Sequence, residues 1–336
     1  MNGDKYKMIK NVGIIGYGHY LPDLIVTNHE IAVRFEKTEN WIEERTGVRE
    51  RRKAVHGIST SDLAIKAATI AIQKANILPE EIDLIIVATT TPDMLFPSTA
   101  CLVQNGIGAC NAAAFDVSAA CSGFIYGLDI AASYILSGQH KNVLLVGADT
   151  YSKIINDNDL NTNILFGDGA GAVVIGEVPS GYGIMGTIKG ADGSGSDLLK
   201  VPAGGSKLPL THELLENRQN TVMMNGREVF QFAVRIFEKM IKQVTEKAGI
   251  NLDDVNLIIP HQANKRILNS VSERLKLSHD KMYCNIEYYG NMSAASIPVA
   301  LSEACNKDRI KKDDILLLAG FGAGLTWGAS LIKWYE

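Results

Sequence analysis

Short apolar runs alternate along the chain with longer segments whose apolar residues recur at helical spacing. Residues 12–15, 82–88, 114–117, 143–146 and 172–175 each read as a strand. Residues 61–74 carry an apolar face with the helical period. A turn of small residues at 118–120 leads into a helix predicted from Cys121. Residues 122–136 form the most apolar helical segment, but Asp129 interrupts it and it is too short to span a bilayer, so it reads as a buried helix. Strands alternating with helices of about 10–15 residues predict βαβ connections and sheets covered on both faces.

Two parts of the chain resemble each other. KANILPEEIDLIIVA begins at Lys74, and KAGINLDDVNLIIPH begins at Lys247. NVLLVGA at Asn142 and DILLLAG at Asp314 repeat at nearly the same spacing. Two matches in the same order predict a duplicated α/β unit, against the alternative that βαβ chains simply reuse such strings. The turn-forming residues 176–190 then mark the boundary, giving halves 1–178 and 179–336. Residues 192–218 read as an irregular surface excursion.

Composition narrows the class. The chain has 336 residues, 46% hydrophobic and 21% charged, with 33 basic against 37 acidic groups and a net charge of -4. These values argue against wholesale disorder and against a global nucleic-acid footprint. The five cysteines are widely spaced without a CxxC pair, so neither a disulfide framework nor a thiolate zinc site is expected. The N-terminal segment carries no long apolar stretch or clear cleavage region. A soluble cytoplasmic protein is expected.

Glycine clusters give little chemistry. Gly16 and Gly18 begin a dinucleotide-like pattern, but Leu21 takes the third glycine position. The segment 167–172 (GDGAGA) fits a tight turn or close backbone approach, with Asp168 either binding local amides or serving as a base. Three other residues have placements that suit catalysis. Cys121 lies at a strand-to-helix turn, where backbone N–H groups favour thiolate; a buried inert cysteine is the other reading. His261 follows an apolar strand, at the sheet end where open α/β folds bind ligands, and is otherwise a structural histidine. Asn291 in YYGNMSAASIP could hold a turn or donate to an oxygen gaining charge.

Several motifs in order around this Cys-His-Asn set carry a resemblance. They are WIEERTGVRERR from Trp41, FPSTA from Phe96, DVSAACSGF from Asp116, FGDGAGAVV from Phe166, PHQANKRI from Pro260, YGNMSAASIP from Tyr289 and FGAGLTWG from Phe321. Together they resemble the thiolase-related condensing enzymes, specifically the beta-ketoacyl-acyl carrier protein synthase III family. The resemblance implies a thiolase-like five-layered α/β/α/β/α fold from two duplicated halves, working as a homodimer. It implies decarboxylative condensation of an acyl-coenzyme A primer with malonyl-acyl carrier protein, without metal or redox cofactor, nucleic acid or membrane insertion. Cys121 would be the nucleophile, with His261 and Asn291 activating the malonyl thioester. Backbone N–H groups of Cys121 and Ala323 would form the oxyanion hole.

The same resemblance implies coenzyme A contacts at Trp41, Arg45, Gly226, Asn264 and Arg266. It implies carrier-protein contacts at Gln262, Ala263, Asn264, Lys265 and Arg266, and an acyl-pocket contact across the dimer by Phe96. Leu160, Gln231, Met292 and Ala323 depart from the familiar pattern, which typically has arginine, lysine, threonine and glycine there. A specialised starter enzyme of secondary metabolism is the alternative these departures leave open.

Overall fold

The computed structural model describes residues 11–335. The N-terminal stretch 1–18, expected to carry no secretory signal, lies outside this range over residues 1–10. The first sheet contains β1 (Asn11–Tyr20), β2 (Leu84–Ala88), β3 (Ala113–Val117), β4 (Val143–Thr150) and β5 (Asp168–Val178), in the order β1-β5-β4-β2-β3. The second contains β6 (Gly183–Ala191), β7 (Leu257–Pro260), β8 (Ile315–Gly322) and β9 (Thr326–Lys333), in the order β7-β8-β9-β6.

Seven helices frame the sheets and the site: α1 (Glu39–Thr46), α2 (Thr60–Ala75), α3 (Thr99–Ile107), α4 (Gly123–Leu136), α5 (Gly226–Ala248), α6 (Lys265–Leu275) and α7 (Ser296–Asn306). The apolar alternation of the strands sorts them into layers. Leu84 and Ile86 of β2 pack inward on Phe124 and Leu128 of α4 and on α7, whereas Ile85 and Val87 pack outward on α2 and α3. In the second sheet Leu316 and Leu318 face the same central helices, while Leu317 and Ala319 face α5 and α6. The result is helix, sheet, helix pair, sheet, helix. Both faces of each central strand are covered, which is why their sequences are continuous apolar runs.

The repeat is a repeat of structure. Leu84 pairs with Val143 in parallel, and at the matching positions of the second unit Leu257 pairs with Leu316 in parallel. The antiparallel pairs β4–β5 and β5–β1 have counterparts in β8–β9 and β9–β6. The counterpart of β3 is reduced to one parallel bridge between Ile258 and Met282. All strands of the first sheet lie before or end at Val178 and those of the second begin at Gly183, so the expected turn-rich stretch 176–190 is mostly strand.

The glycine clusters serve packing. A Cβ on Gly16 would lie 2.4 Å from Ala71 O of α2, and one on Gly171 would lie 2.6 Å from Val299 N of α7. The incomplete dinucleotide motif is therefore the site where a helix crosses β1. Asp168 accepts Ala54 N–H at 2.7 Å and Ser152 N–H at 2.8 Å, so it binds amides rather than standing free as a base. The excursion 192–218 contains the short helix His212–Glu216 and also Leu199, which pairs with Met224 in a two-stranded ribbon. Among the described residues, no helix is long and apolar enough to cross a membrane.

Candidate active site

Cys121 sits just beyond the end of β3. Ala120 takes a left-handed φ of 48°, a single 3-10 turn Ala120–Ser122 follows, and α4 begins at Gly123. Gly123 is needed for close packing, since a Cβ there would lie 3.1 Å from the Ala88 Cβ. The thiol donates to Ser293 Oγ at 3.4 Å. At 3% exposure, Cys121 is dominated by burial, which pushes its thiol up to about 12 against the smaller opposing effect of the Ser293 hydrogen bond. Its place at a helix start predicts a favoured thiolate; in the folded chain desolvation outweighs that effect.

His261 follows β7, and its backbone N–H donates to Ala319 O at 2.7 Å. Its ring stands edge-on to Phe321, with centroids 5.9 Å apart. Burial lowers its pKa to about 3, so the imidazole is neutral. Nδ1 is buried without a hydrogen-bond partner among the described residues.

Asn291 is anchored through both its backbone and its side-chain oxygen. Its N–H donates to Leu165 O at 2.8 Å, and its carbonyl accepts Gly167 N–H at 2.9 Å. Its Oδ1 accepts the Ser293 N–H at 2.9 Å, which orients the amide so that Nδ2 is the end available to a ligand.

Cys121, His261 and Asn291 line one cavity of about 680 Å³. Trp41, Arg45, Gly226, Asn264 and Arg266 line the same cavity. The Arg45 guanidinium stacks 4.2 Å from the Trp41 ring centroid. Asn264 caps α6 through the Arg266 N–H at 2.8 Å and ties α6 to α1 through Arg45 O at 3.1 Å. Gly47 completes that joint, since its φ of 76° and the Lys265 side chain leave no room for a Cβ. A planar aromatic ring and three guanidinium groups lining the same cavity suit a nucleotide with phosphates. A neutral thiol-imidazole-amide set in that cavity suits thioester chemistry.

The structure sorts the remaining expected positions. Gln262 is fully buried, with Nε2 donating to Pro260 O at 2.9 Å and Tyr283 O at 3.1 Å and Oε1 accepting Asn285 N–H at 3.1 Å. It cannot meet a docking protein, and Ala263 is buried beside it; only Asn264, Lys265 and Arg266 offer surface. Gly322 rather than Ala323 lines the cavity, and a Cβ on Gly322 would lie 2.6 Å from Cys121 N. Phe96 is 84% exposed beside exposed Leu95, away from the cavity lining of its own chain. Among the departures, Leu160 packs into the apolar cluster beside Trp41, Gln231 lines the cavity and Met292 is buried.

Sequence reasoning did not single out Ser293 or Asp149. Asp149 is fully buried on β4 and accepts Thr90 N–H at 2.9 Å, Thr91 N–H at 3.1 Å and Ala294 N–H at 3.1 Å. The internal repeat could have found Ser293, because the spacing that carries Lys74 onto Lys247 also carries Ala120 onto Ser293.

Fold and site together define a thiolase-like condensing enzyme. A family model described as 3-oxoacyl-[acyl-carrier-protein (ACP)] synthase III matches residues 115–193, and its C-terminal companion matches residues 245–334. The beta-ketoacyl-[acyl-carrier-protein] synthase III of Caldanaerobacter subterraneus subsp. tengcongensis is 53% identical over 322 residues, covering 96% of this chain and 97% of that one. That of Clostridioides difficile is 53% identical over 327 residues, covering 97% and 99%. The solved structure of 3-oxoacyl-[acyl-carrier-protein] synthase III from Aquifex aeolicus superposes with a TM-score of 0.89 at 45% identity, covering 96% of this chain and 100% of that one. The chain belongs to the 3-oxoacyl-[acyl-carrier-protein] synthase III family.

Proposed function

We propose that the chain condenses an acyl-coenzyme A primer with malonyl-acyl carrier protein, releasing coenzyme A and carbon dioxide and yielding a 3-oxoacyl carrier protein. The observation that carries the assignment of roles is that Cys121, His261 and Asn291, from three distant segments, share one cavity with Trp41, Arg45 and Arg266. Coenzyme A lies against Trp41 with its phosphates toward Arg45 and Arg266. Cys121 Sγ attacks the primer carbonyl. The N–H group of Cys121, beside Gly322, binds the oxyanion, such a donor contributing about 3–4 kcal/mol in well-built sites. The proton leaves with the coenzyme A sulfur, and an acyl-Cys121 remains.

Malonyl carrier protein then occupies the vacated entrance through Asn264, Lys265 and Arg266. His261, a neutral donor, and Asn291 Nδ2 bind the malonyl thioester oxygen as carbon dioxide departs, and the enolate carbon attacks acyl-Cys121. Neutral donors suit this step because charge gathers on oxygen in a desolvated site. The exposed Leu95 and Phe96 pack on a second copy of the chain, with Phe96 reaching toward its acyl pocket. All five cysteines are free, which fits work in the reducing cytoplasm.

Intact-mass measurement after incubation with acyl-coenzyme A tests the first half-reaction. An acyl adduct is expected on the wild type and not on Cys121→Ala. Persistence of the adduct in that variant would remove Cys121 from its role. Product mass with malonyl carrier protein tests the second.

A further inference from the structure

The nucleophile has a hydrogen-bonded back wall as well as an open front. Behind Cys121 Sγ lies Ser293 Oγ at 3.4 Å, on a fully buried residue. The Ser293 backbone is fixed by a left-handed φ of 49° and by its N–H bond to Asn291 Oδ1 at 2.9 Å. The next residue, Ala294, gives its N–H to the buried Asp149 carboxylate at 3.1 Å. Thr90 Oγ1 bonds both Asp149, at 3.2 Å, and the buried Tyr151 phenol, at 3.1 Å, and Thr91 Oγ1 donates to Asp149 at 2.8 Å. The two half-reactions above assign this group of polar atoms no part.

A hydroxyl can change partners where an N–H cannot, because it both donates and accepts. We propose that Ser293 is a positioning residue for Cys121, accepting the thiol proton's hydrogen bond at rest and turning to donate to the thiolate during acyl transfer. When Cys121 gives up its proton, the hydroxyl turns its own proton to Sγ. The proton lost from sulfur ends on the departing coenzyme A sulfur as the new S–C bond forms and the old one breaks. Ser293 neither gains nor loses a proton.

A buried thiolate without a side-chain donor is costly, and the neutral His261 cannot supply a countercharge. The titratable groups facing Cys121 are Asp149 and Tyr151 from β4 and the turn after it, and His261 from the end of β7. The strands β8 and β9 bring uncharged Gly322 and Thr326 to the same turn, the latter bonded to Ser122 at 2.9 Å.

This inference rests on Cys121 being the nucleophile, but its test needs no substrate. Iodoacetamide alkylation of Cys121 is followed by peptide mass across about pH 6–11, in wild type, Ser293→Ala and Ser293→Gly. Loss of the hydroxyl is expected to move the alkylation profile upward by about one pH unit or more, making the reaction about tenfold slower at a given pH below the midpoint. Glycine also relieves the left-handed backbone, so it decides the matter if the alanine variant does not fold. A Ser293→Gly profile that superposes on wild type overturns the assignment. An unchanged profile together with normal acyl-enzyme formation leaves the Cys121 reading intact; failure of wild type to form any acyl adduct strikes that reading instead.

Discussion

Ala120 and Ser293, at equivalent positions of the two repeated units, take the same left-handed backbone, φ 48° and φ 49°. Each lies at a one-turn 3-10 segment that runs into a buried central helix, α4 or α7. The duplicated units thus bring two equivalent corners face to face, and the Cys121–Ser293 contact crosses between them. Only one corner carries the thiol; the other carries the hydroxyl behind it. A β-branched residue is poorly accommodated at such a φ. Ala120→Val is expected to lower unfolding stability by about 1–3 kcal/mol, read by denaturant titration. An undiminished midpoint would show that the corner is not conformationally demanding.

Gly322 leaves the Cys121 backbone N–H room. A methyl group at 322 would have to occupy space 2.6 Å from that nitrogen and 3.2 Å from the Cys121 Cβ. Gly322→Ala is expected to slow acyl-enzyme formation about 100- to 1000-fold, the cost of losing one oxyanion donor. Rapid-quench mass spectrometry measures the rate. A rate within a few-fold of wild type would mean the turn absorbs the methyl without displacing the donor.

His261 should show no protonation near its ordinary value. Its pKa is lowered to about 3 by burial, whereas the unfolded chain takes up a proton near 6.5. Its contribution to stability is therefore complete above about pH 6.5 and lost as pH falls toward about 3. Ring proton shifts of His261 should stay flat between about pH 5 and 8. A midpoint near 6.5 would contradict the neutral-donor role. In the same vein, His261→Ala and Asn291→Ala should depress malonyl decarboxylation more than formation of the acyl-enzyme.

Trp41 presents an aromatic surface to the cavity. Trp41→Ala is expected to raise KM for acyl-coenzyme A about tenfold or more, since base stacking on an aromatic ring contributes about 1–3 kcal/mol. The turnover number should change less. Equal KM values for variant and wild type would move the nucleotide elsewhere.

Gln262 holds the segment that carries the surface residues. Gln262→Leu would strip hydrogen bonds from two buried carbonyls, Pro260 and Tyr283, and from the Asn285 N–H. A loss of about 2–4 kcal/mol of unfolding free energy is expected. Carrier-protein affinity should fall far more in Arg266→Ala than any stability change in that variant explains, because Arg266 is exposed and Gln262 is not.

Residue order alone was enough to find most of the strands, the main helices and the duplication, because these follow from local periodicity and from repeated strings such as those at Lys74 and Lys247. It also marked Cys121, His261 and Asn291 as residues at strand ends and turns, and its motifs carried the family. What those residues experience is a property of the assembled fold. Whether Cys121 is a thiolate or a desolvated thiol depends on how much chain covers it, and that cover comes from β8, β9 and the corner at Ser293. Gln262 and Arg266 look alike as polar neighbours in a motif, yet one is buried and hydrogen-bonded and the other faces solvent. Burial, hydrogen-bond partners and cross-corner contacts are sums over segments far apart in the chain, and no local pattern encodes them.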